Sequence, residues 1–128
     1  MLVAGWAPLG WAQARLDCQL GYGGSTQVVS SAPVDAADAY AVPSVDVAGR
    51  FRFKPVVVGQ GTEVKHVSLY VYVETERQPI LIQQATYLPP FSPATHSGPM
   101  GLTGRQHLYA GPMERELIYS CTLSGVVP

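Results

Sequence analysis

The 128-residue chain has no asparagine, only two cysteines and two lysines, and a charged fraction of 13%. Each scarcity excludes something. With 47% apolar residues beside that charge, the chain is neither a disordered tail nor a coiled coil. Lys54 and Lys65 stand beside six scattered arginines at a net charge of −1, so there is no basic stripe for nucleic acid to meet. No apolar run is long enough to span a bilayer, because the apolar start is short and broken by Gly5, Pro8 and Gly10. No segment sustains a helical period. There is no Cys-x-x-Cys pair for redox work, and no Gly-x-Ser-x-Gly elbow to expose a nucleophilic serine.

What is present begins with residues 2–11, almost wholly apolar, followed by Ala12-Gln13-Ala14 in a small-x-small pattern. This reads as a secretory signal peptide over residues 1–14 that lacks its charged start, which leaves residues 15–128 as a single domain. Arg15-Leu16-Asp17-Cys18 has charge where a lipobox has small apolar residues. The expected location is the bacterial periplasm or outside the cell. The missing asparagine, abundant Ala and Val, and excess of Arg over Lys match the codon usage of a GC-rich bacterial genome.

In an exported chain, two cysteines and no others point to one structural disulfide, Cys18 to Cys121. Closing a loop of 103 residues would constrain the unfolded chain by about 4–5 kcal/mol.

The remaining pattern is period-2 alternation punctuated by Gly, Pro, Asp and Ser. Strands are expected over residues 16–22, 25–31, 50–58, 64–74, 79–88, 106–110 and 116–124. A further short one is expected at 40–42 or 45–47. Leu16, Cys18, Leu20 and Tyr22 share a face, as do Leu117, Tyr119, Cys121 and Leu123. Phe51, Phe53 and Val57 oppose Arg50, Arg52 and Lys54. Lys65, Val67, Leu69, Val71 and Val73 oppose Val64, His66, Ser68, Tyr70 and Tyr72. Pro55 has no amide hydrogen and argues for an edge or a bulge. About seven short strands without a helix imply an all-β, two-sheet antiparallel β-sandwich with one disulfide, immunoglobulin-like in a loose sense. A small β-barrel is the alternative. The cysteine and tryptophan positions do not match the antibody pattern.

Residues 88–104 hold four prolines and three glycines and show no alternation. A loop this long inside a compact domain is commonly functional. Phe91, His96 and Met100 in it are the candidate binding residues. His96, Met100, His107 and Met113 form a candidate copper set, since imidazole and thioether together suit that metal. Tyr70 and Tyr72, with Tyr87 within reach, would make an aromatic platform or fill the core. The five glutamates fall at turns and strand ends, where solvated charge is the ordinary role. The expected function is a non-catalytic binding or interaction module of the cell envelope, using the loop and one sheet face. Its partner is another envelope protein or a small ligand, and no cofactor is required. A periplasmic copper-binding domain and a small secreted enzyme inhibitor are the alternatives.

Overall fold

In the computed structural model, residues 13–91, 101–110 and 115–126 are described. Eight strands form two antiparallel sheets: β1 (Arg15–Tyr22), β2 (Ser25–Ser31), β3 (Val45–Val47), β4 (Phe51–Gln60), β5 (Glu63–Val73), β6 (Ile80–Tyr87), β7 (Gln106–Ala110) and β8 (Arg115–Ser124). A short 3-10 helix, Ala36–Ala41, joins the first hairpin to β3. Sheet A runs β2-β1-β8-β7 and sheet B runs β3-β4-β5-β6. The molecule is a β-sandwich, and of the two positions expected for a further short strand it is Val45–Val47 that pairs with β4.

The inward faces follow the alternation. Leu16, Leu20, Leu117 and Tyr119 of sheet A meet Phe51, Phe53, Val67 and Leu69 of sheet B, all of them buried. Phe53 and Tyr119 pack with ring centroids 5.1 Å apart, and Tyr22 meets Phe51 edge-on at 5.8 Å. Tyr119 donates its hydroxyl to Gln83 Oε1 at 2.5 Å, the one side-chain hydrogen bond between the sheets among the described residues. Burial, with the nearby Tyr87 second, pushes the Tyr119 hydroxyl well above the usual phenol range, so it stays a donor.

Two deviations from strict alternation have physical causes. Strict alternation sets Lys65 on the face of Val67, where it would have buried an unpaired ammonium. Instead the β4–β5 register shifts between Val58 and Gly59, so that Val58 pairs with His66 and Gly59 with Val64. Lys65 is extruded into solvent and Val64 joins the core. Pro55 sits within β4 opposite Leu69, beyond the reach of β3, which ends its pairing at Phe53. Val57 and Gly59, of the same parity, direct their polar groups to Val34 rather than β5. The missing donor of Pro55 therefore falls on a locally open edge, as the sequence suggested.

The disulfide lies within sheet A. β1 pairs directly with β8, and Cys18 is the register partner of Cys121 at a Cα separation of 4.0 Å. The amide of Cys121 donates to Thr103 Oγ1, and its carbonyl accepts from the amide of Leu102, so its polar groups point away from β1. That makes the cysteines a non-hydrogen-bonded pair, the closer of the two antiparallel types. Both are fully buried.

Ala14 precedes β1 yet belongs to the domain. It is fully buried, and its amide donates to the Gly61 carbonyl at 2.8 Å. A chain beginning at Arg15 is therefore expected to be less stable than one beginning at Gln13, by about 1–2 kcal/mol for the lost hydrogen bond and methyl burial. Parallel thermal melts of the two chains measure this, and equal midpoints would contradict it.

Candidate recognition surface

The outer face of sheet B is built by β4 and β5. Register places Arg52 opposite Tyr72 and Lys54 opposite Tyr70, making a two-by-two block of cations beside phenols. All four are half-buried at their bases. The strands put them there because Phe51 and Phe53 occupy the alternate, inward positions. On the far side β6 continues the face with Leu81 opposite Tyr72, Gln84 opposite Tyr70 and Thr86 opposite Ser68, whose hydroxyls lie 3.2 Å apart.

The cations are held in place. Arg52 Nε donates to Glu74 Oε2 at 2.7 Å and its terminal nitrogen to Ser44 Oγ at 3.0 Å. Lys54 Nζ reaches the Tyr40 carbonyl at 3.4 Å and stands 6.0 Å from the Tyr70 ring centroid, within cation–π range. Arg52 thus has its charge balanced, whereas among the described residues Lys54 is held by a carbonyl and a ring and by no carboxylate. Between them, Val42, Ser44, Tyr72 and Pro79 complete a depression of about 190 Å³. Such a surface offers flat apolar area, phenol hydroxyls and one uncompensated positive charge.

The residues singled out in the sequence fall in several places. Phe91 is only 5% exposed and belongs to the hydrophobic core, so it anchors the start of the long loop and is not displayed by it. The end of the loop is pinned as firmly: Gly101 has φ +52°, and a Cβ there would come 2.6 Å from the Cys121 carbonyl oxygen, so only glycine fits. His96, Met100 and Met113 lie outside the described residues. His107 is on the solvent face of β7, with Nδ1 2.8 Å from Glu116 Oε2. Among the described residues no group of three or more His, Cys, Asp and Glu stands together as a metal site. Tyr70 and Tyr72 share the outer face of sheet B, but Tyr87 is opposite the buried Val67 and packs against the core, where burial raises its pKa.

The roles of Arg52 and Lys54 beside the tyrosines, and the Glu116–His107 pair, were not recognised in the sequence. Each strand's own alternation was legible there, but the pairing of β4 with β5 and of β7 with β8 is what brings the side chains together.

Comparison with known proteins finds no matching family model, no similar curated protein and no similar solved structure. Among the described residues no helix is long and apolar enough to cross a membrane. The buried intramolecular disulfide is compatible with an extracytoplasmic location.

Proposed function

We propose that this β-sandwich is a non-catalytic binding module of the bacterial envelope, periplasmic or secreted, that recognises its partner with the outer face of sheet B. The observation that carries this reading is the half-exposed Tyr70–Tyr72 pair set against Lys54 and Arg52 on neighbouring strands. Aromatic and cationic side chains dominate binding energy at protein surfaces, and rigid strands hold them at little entropic cost. The favoured partner presents an acidic group beside an apolar one, since Lys54 has no carboxylate partner among the described residues. The face extends along β6 to the exposed Leu88, where the long loop begins, which makes the loop a second contact region.

The test compares capture of envelope components by the wild-type domain and by a Lys54→Glu/Tyr72→Ala variant, at low and high salt. Both positions point outward, so the variant is expected to fold normally and to lose at least about tenfold in affinity for the captured partner. Added salt is expected to weaken the wild-type interaction. Unchanged affinity in the double variant would remove this face from the proposal. A further variant lacking residues 92–100 separates the contribution of the loop.

A further inference from the structure

The outer face of sheet A carries a second, independent feature centred on Gly21. Glycine weakens a strand interior, and there it ordinarily marks a bulge, a positive φ or a close backbone approach. None of these applies. Both ladders of β1 run through Gly21 without a register shift, pairing it with Thr26 and Ile118. Its φ is not among the positive values. A Cβ built there meets nothing closer than 3.8 Å. The fold would accept a side chain at this position. What its absence provides is the floor of an open groove of about 510 Å³ at the end of the β1–β2 hairpin.

The walls of the groove define its chemistry. Ile118 supplies an apolar flank, Thr26 a hydroxyl and methyl, the hairpin backbone at Gly23 to Ser25 its polar groups, and Glu116 a carboxylate. Glu116 is positioned from behind: His107 Nδ1 lies 2.8 Å from Oε2, and the Tyr109 hydroxyl bonds it as well. These two hydrogen bonds hold the Glu116 carboxyl below the usual carboxylate range, so it stays an acceptor. Beyond the groove, Gln19, Ser120 and Thr122 continue the outward face with neutral hydrogen-bonding groups beside the exposed Val28, and Asp17 farther along has its charge matched by Arg15. The His107 partner lessens the pull of Glu116 on an ammonium ligand, while the carboxylate keeps lone pairs free for hydroxyl donors. A purely apolar ligand would strand these polar groups. A ligand with an apolar face and several neutral hydroxyl donors satisfies every wall.

We propose that this groove is a saccharide-binding site, taking a neutral pyranose unit of an oligosaccharide or polysaccharide with its C–H face on Gly21 and Ile118 and its hydroxyls toward Glu116, Thr26 and the hairpin backbone. The site is separate from the tyrosine face, which lies on the other sheet, and it stands whether or not that face binds anything.

Isothermal titration of the whole chain with neutral gluco- and N-acetylglucosamine oligosaccharides tests it, alongside sedimentation with the corresponding insoluble polymers. Spermidine serves as the cationic probe. At least one saccharide is expected to bind with a Kd below about 10 mM. Binding in solution identifies an oligosaccharide ligand, and co-sedimentation alone identifies a polymer. Gly21→Val is expected to fill the floor and weaken binding by about tenfold or more, with the melting temperature unchanged or higher. Glu116→Gln keeps the shape and is expected to weaken binding by about fivefold. Gly21→Ala provides the floor-filling comparison should the valine variant not fold. Three results would each overturn the proposal: no saccharide bound at about 10 mM, undiminished binding by the floor-filling variant, or spermidine bound more tightly than any saccharide.

Discussion

Replacing both cysteines, as Cys18→Ala/Cys121→Ala, is expected to lower the stability of the domain by about 4–5 kcal/mol, the entropy of leaving a loop of 103 residues open in the unfolded chain. Native domains of this kind are stable by only about 5–15 kcal/mol, so the loss is a large fraction of the whole. For a chain of this length it corresponds to a fall in melting temperature of roughly 15–25 °C. Deleting two fully buried sulfurs also leaves a small void between the sheets, which adds to this loss. Both sulfurs are fully buried between the sheets, so a thiol reductant can reach them only after the sandwich opens. Reduction of the folded protein should therefore follow global unfolding, with a rate that rises with denaturant and is nearly independent of reductant concentration once reductant is abundant. Calorimetry of the variant and timed thiol trapping of the wild type measure the two effects. A variant melting within a few degrees of the wild type would mean that the unfolded chain is already compact around this pair.

Phe91→Ala carries the second large effect. At 5% exposure the ring is enclosed by the core, and its removal is expected to cost about 3–5 kcal/mol through lost transfer free energy and the cavity left behind. Leu88→Ala, three residues earlier and 67% exposed, is expected to change stability by less than about 0.5 kcal/mol. Urea titration of the two variants gives the comparison directly. The pair discriminates two roles for the same segment. If Phe91 were a docking residue, its loss would weaken partner binding and leave the urea midpoint in place. As an anchor, it moves the midpoint first, and the long loop loses its fixed starting point along with the core.

That pair also marks how far the sequence could be read. The strands were visible because half-buried strands alternate, and residues 16–22, 51–58 and 64–74 alternate clearly. The disulfide was visible because two cysteines on apolar strand faces in an otherwise cysteine-free chain have few other roles. Phe91 was not legible. It sits among prolines with no period to reveal which way it points, and an aromatic residue in such a stretch looks the same whether displayed or buried. Lys65 departs from the pattern of its strand for a related reason. Its parity with Val67 and Leu69 grouped it with them, and the register shift that frees it arises only when β4 and β5 pair. The recognition surface was half legible: the alternation set Tyr70 and Tyr72 apart from Val67 and Leu69, but not which sheet face met solvent or which cations would stand beside them.

By itself, then, the sequence determined the all-β character, the division of each main strand into two faces and the identity of the disulfide, because each follows from local period or composition. Only the tertiary structure decided that the cysteines bridge neighbouring strands of one sheet, that Tyr87 parts company with Tyr70 and Tyr72, and that Gly21, Glu116 and His107 share a surface. Those facts depend on strand order and register, which are set by the joint packing of both sheets and by two register shifts, the one in β4–β5 and another between Val71 and Tyr72 where β5 meets β6. No single strand's alternation contains that information.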